Sequence, residues 1–193
     1  SPPSLPQNSI YTANYCEENV YFLAKHFLDD KEVSSRWDVF VIFISNTTKS
    51  VALWYQKLND SVVIWDYHVI LIALRRRALT SSAGRRLASR SFVYDFDSRL
   101  EMPCAWEEYI TLTFQDQEGL PEQFRSLLRV VPGDVFVGSF ASDRSHMVSL
   151  DGNGSRYISV PPPYACIVGE KAKILGVVNN LMDSFVDMSS NGD

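Results

Sequence analysis

The run SVVIWDYHVILIAL, residues 61–74, constrains this chain more than any other passage. Valine and isoleucine dominate it, and their branched side chains suit a pleated surface better than a helix. It predicts one long buried strand. DVFVIFIS (38–45) has the same character and predicts a second. The longer run is also too short to span a bilayer, and Asp66 and His68 interrupt it.

Other passages fill in the architecture. Val20, Leu23, Ala24, Phe27 and Leu28 recur at helical spacing, which predicts an amphipathic helix over 16–28. Asn14 can cap it, and Glu17, three residues later, completes a capping-box pattern. VALWYQKL (51–58) reads as a partner strand after the turn NTTKS, and SFVYDFD (91–97) as another strand. A helix is expected near 104–114, and PEQFRSLL begins with proline as a short helix does. RVVP reads as a short strand, GDVFVGSFA as a short element of either type, and SLDGNGSRY as a turn. VPPPYACI reads as an extended passage. An N-terminal helix followed by mostly antiparallel strands, with helices interleaved, is an α+β pattern. Residues 1–9 (SPPSLPQNS) read as a flexible leader, and 10–193 as one domain without internal repeats.

Composition narrows the function. At 46% hydrophobic and 12% aromatic the chain is too apolar for disorder. A net charge of −5 argues against a nucleic-acid partner, although 75–90 holds six arginines, best read as a solvated insertion. Three scattered cysteines with no CxxC pair suggest neither a zinc site nor a disulfide framework. No metal, cofactor or membrane partner is expected. With no apolar signal segment at the start, a soluble protein of the cytoplasm, also reaching the nucleus, is the expectation.

Three residues could form a reactive set. Cys16 falls in the first turn of the predicted helix, where unpaired N–H groups and about half a positive charge lower a thiol pKa. Glu17 and Glu18 offset part of that. The alternative is a buried structural thiol. His68, among valines and isoleucines, must find a polar partner. By strand alternation it shares a face with Asp66 and Ile70, opposite Trp65, Tyr67 and Val69. Asp95 can supply the partner if 61–74 and 91–97 pair as a hairpin. Asp97 shares the face of Asp95, and Asp66 is a further choice, too close along its own strand to meet His68 end to end. Thiol, imidazole and carboxylate together form an acyl-transfer set. His26 and His146 read as surface or structural residues.

The segments YCEENVY, VIFISN, VIWDYHVI, FVYDFDSRLEMPC, FASDRSHM and PPPYACI resemble, in order, the protein N-terminal glutamine amidohydrolases over about residues 11–188. The resemblance implies a monomeric, papain/transglutaminase-like catalytic domain, its N-terminal helix packed on a mostly antiparallel sheet. The implied reaction converts the N-terminal glutamine of a protein or peptide to glutamate and releases ammonia, feeding the N-degron pathway. By motif it implies Cys16 as nucleophile, His68 as base and Asp95, rather than Asp97, as orienting acid. The stretch 75–90 is longer and more basic than the family leads one to expect. NLMDSFVDMS resembles the family's passage near the C-terminus, but the segment that usually follows it is missing, as in a truncated chain.

The expected chemistry is attack of the Cys16 thiolate on the glutamine side-chain carbonyl, giving a γ-glutamyl thioester that water then hydrolyses. Selecting a chain end requires acceptors for the α-ammonium, with Glu17, Glu18 and Asp66 as candidates. Trp65 and Tyr15 could line the slot for the aliphatic stem. A papain-like protease, a transglutaminase and a non-catalytic module that binds N-terminal residues are the competing readings.

Overall fold

The computed structural model describes residues 1–76, 91–151 and 154–189. Its frame is a five-stranded antiparallel sheet. In spatial order the strands are β6 (Cys104–Ala105), β5 (Ser91–Tyr94), β4 (His68–Arg75), β1 (Trp37–Ser45) and β7 (Leu127–Pro132). Central β1 and β4 are the two apolar runs of the sequence, and alternation sends their side chains into two cores. Val41, Phe43, Val69, Leu71 and Ala73 face one core, completed by helix α1 (Cys16–Asp29) and helix α4 (Gly133–Ser139). Ile42, Ile44, Ile70 and Ile72 face the other, with β2 (Val51–Leu53) and Tyr109 of helix α3 (Trp106–Thr113).

The predicted strand at 61–74 is two strands. β3 (Val63–Trp65) pairs with β2 in a small separate sheet, and β4 starts afresh at His68. Aspartate disfavours strand interiors. At the break Asp66 accepts the N–H of Tyr67 on its carboxylate, and its carbonyl accepts from Ser45 Oγ. The 51–58 strand is correspondingly shorter and lies outside the main sheet.

Three further readings take definite form. PEQFRSLL yields a single 3-10 turn at Glu122–Phe124 before β7 begins. GDVFVGSFA contributes α4. SLDGNGSRY holds the hairpin of β8 (Val148–Asp151) and β9 (Gly154–Tyr157). Two short helices, α2 (Lys31–Arg36) and α5 (Glu170–Ile174), complete the set, with a helical turn at Leu181–Val186 whose Phe185 stacks on Phe43. Residues 1–9 have no regular structure, yet Pro3 is buried and its carbonyl accepts from the Tyr94 hydroxyl. The arginine-rich stretch lies, from residue 77, outside the described residues. None of the described helices is long and apolar enough to cross a membrane.

Candidate active site

α1 begins at Cys16, as the apolar spacing predicts, but not through the expected capping box. Tyr15 is the N-cap residue, and no side chain caps the helix. Asn14 adopts φ +66° and donates instead to Ser159 Oγ. Glu17 turns its carboxylate into the protein rather than back to the cap. The start of the helix is held by other means: Asn19 brackets Thr12 with bonds to its N–H and carbonyl, and the Tyr15 hydroxyl donates to Ser159 carbonyl.

His68 is the first residue of β4 and is fully buried. The β4–β5 register pairs Leu71 with Tyr94. Continued one step, it sets Asp95 against Ile70, two residues from His68 on the same face, a diagonal that side chains can bridge. His68 Nε2 lies 2.9 Å from Asp95 Oδ1. Asp95 Oδ2 accepts from the Tyr109 hydroxyl at 2.7 Å, and Oδ1 also accepts the Asp97 N–H. Asp97 itself accepts from the Tyr11 hydroxyl, so its carboxylate is engaged elsewhere. Burial opposes a charged imidazole, but Asp95, with Asp97 and Glu17, outweighs it and raises the pKa of His68. Burial likewise opposes ionised Asp95, and His68 and Tyr109 outweigh it, holding that carboxyl below its usual range. His68 Nδ1 is buried without a hydrogen-bond partner.

Cys16 lies at this same sheet end, its thiol donating to Glu17 Oε2 at 3.7 Å. No hydrogen bond joins it to His68. The expectation of a lowered thiol pKa is reversed. Burial pushes the pKa of Cys16 well up, and the Glu17 charge adds to the effect. The field of a helix start does not outweigh removal of the thiolate from water.

The proposed substrate contacts divide. Glu17 is fully buried, with Oε2 accepting from the Tyr67 hydroxyl at 3.0 Å and Oε1 unpartnered. Both oxygens of Glu18 are taken by buried Arg144. Asp66 is exposed at the β3–β4 break. Tyr15 is fully buried. Alternation along one strand would set Trp65 and His68 on opposite faces; the break instead stacks them, 5.5 Å between centroids. Two concavities of about 140 and 310 Å³ lie elsewhere and include neither Cys16 nor His68.

Several residues here had been given no role. Arg144, Tyr67 and Tyr109 are buried partners of site carboxylates. His146 is not a surface residue: its side chain is 7% exposed, and Nε2 lies 3.2 Å from the Tyr67 hydroxyl and 3.7 Å from Glu17 Oε1. The distinctive string FASDRSHM contains both Arg144 and His146, and was the available signal. His68, Asp95 and Asp97 bring potential metal-ligand atoms within 4.8 Å of one another, but the Asp95 oxygens are already hydrogen bonded.

Comparison with known proteins defines the class first: the chain matches hydrolases of linear amides. A family model described as N-terminal glutamine amidase matches residues 11–193. Three relatives are each named protein N-terminal glutamine amidohydrolase. The one from Oryza sativa subsp. indica is 39% identical over 194 residues, covering 95% of this chain and 78% of the relative. Those from Danio rerio and Homo sapiens are 37% and 36% identical over 167 and 169 residues, each covering 86% of this chain and 75% of the relative. The chain belongs to the N-terminal glutamine amidase family.

Proposed function

We propose that this chain hydrolyses the side-chain amide of an N-terminal glutamine, using Cys16, His68 and Asp95 in a papain/transglutaminase-like arrangement. Family membership supports the reaction. The observation that carries the residue assignment is the buried His68–Asp95 bond at 2.9 Å, with the other ring nitrogen unpartnered. A histidine anchored through Nε2 has Nδ1 left to take a thiol proton.

In this reading the Cys16 sulfur attacks the carboxamide carbon while His68 Nδ1 removes its proton. Backbone N–H groups at the start of α1, that of Cys16 among them, stabilise the oxyanion; such a donor is typically worth about 3 kcal/mol. The imidazolium protonates departing ammonia. His68 then activates water, which hydrolyses the γ-glutamyl thioester. Asp95 holds the ring and stabilises its charge. The product is an N-terminal glutamate, the input an N-degron pathway requires, in the cytoplasm or nucleus, with the enzyme acting as a monomer.

Glu17 is the acceptor we assign to the substrate α-ammonium, because one of its buried oxygens has no partner. Glu18 is assigned a structural role with Arg144. The test is ammonia release from peptides beginning with Gln, acetyl-Gln and Asn, with wild type and Cys16→Ala. Release only from free Gln, lost in Cys16→Ala, is expected. Undiminished release by the variant would remove Cys16 from the chemistry.

A further inference from the structure

Glu17 and Glu18 are adjacent, and both are fully buried. The fold gives one of them a cation and leaves the other without. Glu18 receives Arg144 through bonds of 2.8 and 2.9 Å. No lysine or arginine among the described residues forms an ion pair with Glu17. The nearest basic group is His146 Nε2 at 3.7 Å, and burial pushes the pKa of His146 down, so it is neutral near pH 7. The Tyr67 hydroxyl solvates Glu17 Oε2 but brings no charge.

That same Oε2 is the atom 3.7 Å from the Cys16 sulfur. A carboxylate so close opposes formation of a second negative charge. The other groups around the thiol already have partners: Asp95 has His68 and Tyr109, Asp97 has Tyr11, and Tyr67 donates to Glu17. Glu17 therefore is the group whose charge a ligand can change.

We propose that Glu17 makes the nucleophile conditional on the substrate's amine: the α-ammonium pairs with Glu17 Oε1, cancels the charge opposing the Cys16 thiolate, and thereby lets the thiol proton pass to His68 Nδ1. This rests on the reading of Cys16 and Glu17 given above. With Glu17 ionised, one proton moves from sulfur to nitrogen; where Glu17 starts protonated, as its burial favours near pH 7, pairing with the α-ammonium first releases that proton to water. The α-ammonium keeps its own protons and acts as a counter-charge. The consequence is a specificity that operates in the chemical step. An N-acetylated glutamine leaves the thiol protonated even when bound, so it loses kcat as well as affinity.

The probe is norvalinamide, which carries an α-amine and a short aliphatic side chain but no side-chain amide, with N-acetylnorvalinamide as control. Thiolate absorbance in the ultraviolet is titrated against pH for wild type, with Cys16→Ser as the blank. Saturating norvalinamide is expected to lower the Cys16 midpoint by about one to two pH units, and the acetylated control to leave it in place. Glu17→Gln is expected to start from a lowered midpoint and to ignore the probe. Tyr67→Phe, which removes the neutral donor to Glu17 together with its contact to His146, is expected to start higher and still respond; with the wild-type arms it decides the matter should Glu17→Gln not fold. A midpoint unmoved by norvalinamide, or moved equally by both compounds, overturns the proposal. If that happens while Cys16→Ala has lost ammonia release, the coupling has failed and the nucleophile stands. If Cys16→Ala still releases ammonia, the underlying reading has failed.

Discussion

Arg144, in the loop after α4, meets Glu18, in the first turn of α1, through two parallel hydrogen bonds between side chains 5% and 0% exposed. Its remaining nitrogen donates to the carbonyls of Pro162 and Tyr164. One guanidinium thus ties the helix bearing Cys16 to two distant loops. Arg144→Met is expected to cost about 3–5 kcal/mol by orphaning a buried carboxylate, and adding Glu18→Leu to recover part of it. Urea unfolding of the two variants measures this.

Asp95 and Asp97 are separable by substitution. Asp95 holds His68 at 2.9 Å, whereas Asp97 Oδ1 accepts from Tyr11. Asp95→Asn is expected to lower kcat by roughly 10² to 10⁴, the scale seen when a histidine loses its orienting carboxylate. Asp97→Asn keeps an acceptor for Tyr11 and is expected to change kcat by less than about tenfold. Steady-state ammonia release from a Gln-initiated peptide distinguishes the two, and equal losses would contradict the assignment.

Tyr109 supplies the second anchor of Asp95. Tyr109→Phe leaves Oδ2 buried without that donor, at an expected cost of about 1–3 kcal/mol in unfolding free energy. It also removes one of the interactions that hold the Asp95 pKa down. The acid limb of the pH–rate profile is therefore expected to shift to higher pH in the variant.

Glu17 has its pKa raised from 4.5 to about 7, with burial the main cause. The folded state then holds this proton more tightly than the unfolded state does. Stability from this group is full below about pH 4.5 and falls as pH rises to about 7, by roughly 3 kcal/mol. Glu17→Gln removes the dependence. Its unfolding free energy relative to wild type is expected to rise between about pH 5 and pH 8. A constant difference across that range would show that Glu17 titrates normally.

Much of the frame was legible because its signals are local. Val, Ile and Phe in β1 and β4 declare buried strands, and spacing alone locates α1. Alternation on two strands joined as a hairpin offered His68 either Asp95 or Asp97, and the family resemblance pointed to Asp95, which the structure bonds to it. What escaped depends on chain segments meeting across the fold. Asp66 inside an apolar run was a local hint of the β3–β4 break, but not of Trp65 stacking on His68. Arg144, His146 and Tyr109 lie far along the chain from the groups they touch, and no periodicity links them. The Cys16 pKa was misjudged for a similar reason: helix position and the adjacent glutamates can be read from the sequence, whereas the burial that dominates the shift cannot.

The strand pair β4–β5 has the His68–Asp95 bond at one end and Arg75 and Ser91 at the other. β4 carries the chain from His68 to Arg75, eight residues, or roughly 23 Å at strand rise. Arg75 and Ser91 therefore lie at the opposite end of this strand pair from His68 and Asp95. A reporter group attached at Arg75, itself exposed, would sit at the sheet end away from the His68–Asp95 bond.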